Sequence, residues 1–181
     1  MLTIEVPDTE AFDPKTNEFI TVKGQRLVLE HSLVSISKWE SKWHVPYLNE
    51  TTKTAEQVYD YIKCMTLTQN VDPKVYLCIP EKEMQRINDY IEDKMTATWF
   101  KEDEKKKPPS REIITSEIIY YWMVALSIPM ECQKWHLNRL LTLIRVCEEK
   151  NKPHEKMSKR DLMARNKALN AARRKKHGTR G

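Results

Sequence analysis

The chain has 181 residues, 40% hydrophobic and 31% charged, with three glycines and a formal net charge of +5. That length predicts one domain with a sizeable core and a small appendage. The scarcity of glycine excludes a glycine-rich phosphate loop and argues against a sheet-rich fold full of tight turns.

The opening MLTIEVPDTE has neither the basic start nor the apolar core of a secretory signal, which predicts a cytoplasmic protein. Thr3–Val6 reads as a short strand. Phe19–Val22 and Gln25–Glu30 flank Lys23-Gly24, a pair suited to a two-residue hairpin turn because glycine accepts positive φ. Ser32 then caps a helix through Trp43, with Leu33, Ile36, Trp39 and Trp43 at helical spacing and Pro46 beyond its end. Thr54 and Gln57 form a capping box before a helix whose Val58, Ile62 and Met65 line one face. After Asp72-Pro73 comes KVYLCI, which has no clear period. Pro80 serves as the first residue of a helix running through Met95, with glutamates in its opening turn. The charged, proline-bearing KEDEKKKPPSR of residues 101–111 is a linker.

Thr115–Cys147 is the most informative stretch. It opens on a helix-cap signal, runs through nine unbroken apolar residues from Ile118 to Leu126, and breaks at Pro129. It resumes with Trp135, His136, Asn138 and Arg139. This reads as a helical hairpin whose apolar first arm is buried as core and whose second arm presents a face. The apolar run is about half the ~20 residues a membrane-spanning helix needs, so no membrane span is expected. Last, Ser158 and Asp161 cap a helix with Leu162, Arg165/Asn166 and Leu169 on a thin stripe and a basic far side. Alone it is marginal and calls for a partner surface. Residues Lys150–Gly181 carry twelve Lys/Arg against Glu155 and Asp161, or +10, leaving −5 on the first 149. An acidic body with a basic tail points to nucleic acid, an acidic partner or docking of tail on body.

Candidate chemistry is thin. Cys132 and His136 stand at i and i+4, able to chelate a metal, but only distant Cys147 or His44 would complete a site. A core cysteine and a hydrogen-bonded histidine is the favoured reading. Cys64, Cys78, Cys132 and Cys147 form no CxxC and are expected to be reduced. Glu30 and Glu40 near His31 have the residue types for acid–base work, yet capping or ion pairing accounts for them as well. Stacking of Trp39, Trp43 and Trp135 on bases is disfavoured against an aromatic core or protein contact, because aromatic and basic residues are not interleaved along the chain. No enzyme and no cofactor is expected.

Three blocks carry a resemblance: EHSLVSISKWESKW (Glu30–Trp43), the 33 residues Thr115–Cys147, and LNAARRKKHGTRG (Leu169–Gly181). Over roughly half its length the chain resembles a group of small tailed-bacteriophage proteins encoded among tail genes, the tail assembly chaperones. The resemblance implies a non-catalytic factor that binds the long helical tape measure protein in the host cytoplasm and keeps it soluble until the tail tube forms. Tail chaperones are often acidic where they bind, and this tail is basic. No family binding residues are carried over position by position.

The expectation is therefore an α+β fold, predominantly α. A small N-terminal β-hairpin (about 1–30) packs on a helical body within 1–150, and a basic helix occupies 151–181. Trp39, Trp43, Trp135, Leu140 and Ile144 are the expected core or partner-contact positions, with Arg139 as a hydrogen-bonding anchor. The expected partner is a tape measure protein, with self-association as a further possibility. The alternative is a nucleic-acid-binding module using Arg165, Arg173, Arg174, Lys175 and Lys176.

Overall fold

A computed structural model describes residues 1–13, 17–49, 52–100, 113–152 and 159–178. It begins with four strands: β1 (Leu2–Val6), β2 (Thr9–Asp13), β3 (Glu18–Val22) and β4 (Gln25–Leu29). β1 pairs with β4, Leu2 opposite Leu29 and Val6 opposite Gln25. β2 pairs with β3, Thr9 opposite Val22 and Asp13 opposite Glu18. The register is the same in both pairs, so the strands read as one two-stranded ribbon interrupted at Pro7-Asp8 and Lys23-Gly24. Lys23-Gly24 is thus not the hairpin turn its composition suggests. Pro7 has no N–H to give the ladder. Opposite it, a side chain on Gly24 would sit 2.3 Å from the Val6 carbonyl oxygen, so glycine is needed for close backbone approach rather than for positive φ. The Gly24 N–H donates instead to Asp8 Oδ1 (2.6 Å).

The period-2 alternation of β1 and β4 turns Ile4, Val6, Leu27 and Leu29 into the core. Glu5 and Arg26 face each other on the solvent side, a favourable cross-strand pair. The inner face lies on helices, and the β4 edge is covered by residues 65–68. Glu30 N–H donates to Met65 O (2.9 Å) and Leu67 N–H to Val28 O (2.8 Å). Covering the edge removes a row of unpaired backbone groups.

The helical body contains α1 (Leu33–Trp43), α2 (Ala55–Met65), a 3₁₀ turn (Pro73–Cys78), α3 (Glu81–Glu92), α4 (Ser116–Ala125), a second 3₁₀ turn (Met130–Lys134) and α5 (Leu137–Asn151). α1 starts as its sequence signals: the Ser35 N–H donates to Ser32 Oγ (3.3 Å) and the Ser32 N–H to Ser35 Oγ (2.9 Å). It stops where His44 takes a left-handed conformation (φ 54°) and its N–H reaches Glu40 O. α2 carries the expected Thr54/Gln57 capping box. Its buried side chains are Asp60, Tyr61, Ile62 and Met65. α3 differs from expectation at both ends: Pro80 is the cap rather than the first helical residue, and Asp93 turns extended, so residues 93–95 are not helical. The core joins Leu33, Ile36 and Trp39 of α1 to Ile62 and Met65 of α2, Ile87 of α3, Ile119 and Met123 of α4, and Leu137 and Leu140 of α5. Burying each such side chain contributes roughly 1.5–3 kcal/mol. The fold is α+β and predominantly α, with a small N-terminal ribbon packed on helices.

The chain divides into two units, Met1–Glu148 and Glu149–Gly181. The second holds the end of α5 and α6 (Lys159–His177). The expected linker at 101–111 and the cap at Ser158 lie outside the described residues. Among the described residues no helix is long and apolar enough to cross a membrane.

Candidate functional site

The start of α4 is built from α1 rather than from its own cap signal. Thr115 makes no capping hydrogen bond. The Ser116 N–H donates to Glu40 Oε2 (2.8 Å), while Glu40 Oε1 accepts from the Tyr47 N–H (2.8 Å). One buried carboxylate thus satisfies two backbone donors and sits at the positive end of a helix. Beside it, the Glu117 carboxyl is held below its ordinary range by its own backbone N–H and then by the Thr115 hydroxyl. The helix ends before Pro129, in a Schellman motif centred on Ser127 (φ 54°). The Ile128 N–H reaches Met123 O (2.8 Å) and the Ser127 N–H reaches Val124 O (3.1 Å).

The nine-residue apolar run is therefore not all core. Ser116, Ile119 and Met123 are buried, but Tyr121 is 69% exposed and Val124 68%. They follow the exposed Glu117 at i+4 and i+7, so Glu117 already marked the outward face in the sequence. Met130, in the next turn, is also exposed. These are the contact candidates that hydrophobicity alone misassigned to the core.

Trp135 and His136 do not stand on the second helix, as the spacing suggested, but on an extended connection leading into it. His136 bridges to Ser32, and the Leu137 N–H donates to His31 O (2.7 Å). Tyr120 Oη donates to Gln133 Oε1 (2.9 Å) and holds the 3₁₀ turn against α4. Asn138 Nδ2 donates to the Ile91 and Asp93 carbonyls (3.1 and 2.7 Å), closing the end of α3. Arg139 is exposed, and its guanidinium lies over the half-buried Trp135 ring at 4.3 Å, so it acts through cation–π stacking rather than as the expected hydrogen-bonding anchor.

Beneath this surface lies a buried polar cluster that the sequence scattered over five segments. His31 Nδ1 shares a hydrogen bond with Tyr61 Oη (2.5 Å), and its ring meets His136 edge-on at 5.0 Å. Tyr61 packs on Tyr47 at 4.1 Å. His136 Nε2 donates to Tyr90 O (2.8 Å), its Nδ1 accepts from the Asn138 N–H (3.3 Å), and Tyr90 Oη donates to Glu30 Oε1 (2.7 Å). Burial, and then the neighbouring His136, lowers His31 to about 3. Burial likewise raises the Tyr47, Tyr61 and Tyr90 hydroxyls. At neutral pH these groups are uncharged internal hydrogen-bonding partners. Glu30 and Glu40, the two carboxylates considered for acid–base work, are engaged by Tyr90 and by backbone N–H groups.

Of the expected contact residues, three belong to the interior. Trp39 is fully buried with Nε1–H donating to Gln57 O (3.0 Å), and Leu140 and Ile144 are buried on α5. With almost no exposed surface, they fill the core part of that expectation and hold the fold. Trp43 is half-buried and donates to Asp60 Oδ2 (3.0 Å), a carboxylate that also pairs with Lys42. Cys132 is buried, and all four cysteines are free. Among the described residues no group of three His, Cys, Asp or Glu is placed to hold a metal ion. On α6, Arg165, Arg173, Arg174, Lys175 and Lys176 are exposed, as are Leu162, Met163 and Leu169.

Compared with known proteins, the chain matches no family model, no curated protein and no solved structure.

Proposed function

We propose that the protein is a non-catalytic assembly factor, a phage tail assembly chaperone that binds the tape measure protein in the host cytoplasm. The observation that carries this reading is the outward apolar face of α4. Tyr121 and Val124 stand more than two-thirds exposed on a helix tied down on its inner side. A face of this kind suits an amphipathic helix laid against it, with side chains meeting at i, i+3 and i+4. Trp135 stacked with Arg139 supplies a further aromatic contact in the same 115–147 segment, one of the three blocks that carry the resemblance to tail chaperones. Weak single contacts repeated along a long helical partner add avidity. The engagement of His31, His136, Glu30 and Glu40 by internal partners supports a role without catalysis.

Coexpression tests it. A tape measure protein that aggregates alone is expected to become soluble and co-purify with this chain. That effect should be lost with Tyr121→Ser/Val124→Ser, whose melting temperature stays near that of the parent. A tape measure protein that forms no complex with the parent chain would end the reading.

A second reading, nucleic-acid binding through α6, is favoured by one observation: the eight Lys and Arg side chains on Lys159–His177 are all exposed. Retention on heparin that falls steeply with salt and disappears on deleting residues 159–181 would support it.

A further inference from the structure

The groove beside α5 brings together residue types that the sequence keeps apart. Residues 94–100 leave α3 and run along α5, and the space between them is an open cleft of about 440 Å³ lined by Lys94, Trp99, Phe100, Leu141, Thr142 and Arg145, among others. That size lies within the range of small-ligand sites. Trp99 is 75% exposed and so has ring surface available. The Arg145 guanidinium covers Phe100 at 4.0 Å, which fixes a cation in the cleft wall. Among the described residues none that lines the cleft is acidic. Asp93, next to Lys94 in sequence, accepts from the Met95 N–H through Oδ1 (2.9 Å). Asn138, also in the lining, is engaged by two backbone carbonyls and so gives the floor a fixed shape.

A flat exposed ring and two cations, with no acid among the described lining residues, make up the chemistry that recognises a base and its phosphate together. Stacking on an aromatic face tolerates any base, and Lys or Arg tracks the backbone. An acidic peptide would use Lys94 and Arg145 but would leave Trp99 without a role. We infer that this cleft binds single-stranded nucleic acid, a few nucleotides at a time, with Trp99 as the stacking platform and Lys94 and Arg145 as phosphate contacts. Binding here is independent of the chaperone reading, and every residue it uses lies within Met1–Glu148.

The test uses the full chain with Arg173, Arg174, Lys175 and Lys176 changed to Gln, so that the tail's charge does not supply the signal. A labelled ten-nucleotide single-stranded DNA is titrated by fluorescence anisotropy at fixed salt. Binding is expected, weakening about tenfold in Trp99→Ala and again in Arg145→Gln, with Trp99→Phe close to the parent. Trp99 is too exposed for its removal to unfold the protein, and melting curves of each variant check this. Adenosine monophosphate and a polyglutamate peptide of similar charge are expected to compete poorly. No DNA binding, or binding indifferent to Trp99→Ala, would overturn the inference. So would polyglutamate binding of equal strength that also depends on Trp99, or a mononucleotide binding as tightly as the strand.

Discussion

α5 and α6 are both long helices with leucines on one side and basic residues elsewhere, yet their leucines differ in burial. On α5, Leu137, Leu140 and Ile144 are buried, and the helix is docked at its first turn. The Leu137 N–H meets His31 O, and the Asn138 side chain closes the end of α3. On α6, Leu162, Met163 and Leu169 remain 46–72% exposed. Apolar spacing selects a face, but the hydrogen bonds at a helix end decide where that face is laid down. A helix of this size without tertiary docking is marginal in water.

The comparison is broken most severely from the docked side. Trp39→Ala or Leu140→Ala is expected to cost about 3–5 kcal/mol, measured by urea unfolding, because each leaves a cavity where no surface can relax. A cost below about 1 kcal/mol would mean that the first unit is not packed as described.

Acid comes next. His31 is neutral in the fold with its value lowered to about 3, against an ordinary 6.5. The unfolded chain therefore binds a proton that the folded chain refuses. Stability is fully present above about 6.5 and falls by about 1.4 kcal/mol per pH unit below it, until the folded value is reached. Melting temperatures between pH 7 and pH 4 should show this slope, and His31→Gln should flatten it. A smaller loss, about 1.5–3 kcal/mol, is expected from Glu40→Gln, whose amide places a donor against the Ser116 or Tyr47 N–H. The smallest effect belongs to α6, whose leucines are exposed. Leu169→Ala should change stability by less than about 0.5 kcal/mol, and a larger loss would show that α6 has a packing partner.

Local signals were legible in the sequence. Ser32 and the Thr54/Gln57 box set the starts of α1 and α2, and the basic helix at the C-terminus follows from its spacing and charge. What was not legible depends on residues distant in the chain. Gly24 looked like a turn residue because its close approach to Val6 arises only once β1 and β4 pair. Ser127 ends α4 in a left-handed conformation that usually advertises itself as glycine, so the break was assigned to Pro129. Thr115 looked like the cap of α4, although the acceptor for the Ser116 N–H is Glu40, 76 positions from Ser116. The same distance hid the interleaving of aromatic and basic side chains: Phe100 and Arg145 meet only across the groove. Tyr121 and Val124 were readable as an outward face from Glu117, but unbroken hydrophobicity obscured the period.

Hydrogen exchange on the protein alone and in complex with a tape measure protein tests the central claim most directly. The account predicts that peptides covering residues 113–130 gain protection in the complex, that the β-ribbon does not change, and that the gain is abolished by Tyr121→Ser/Val124→Ser. Protection confined to α6, with residues 113–130 unchanged, would contradict it.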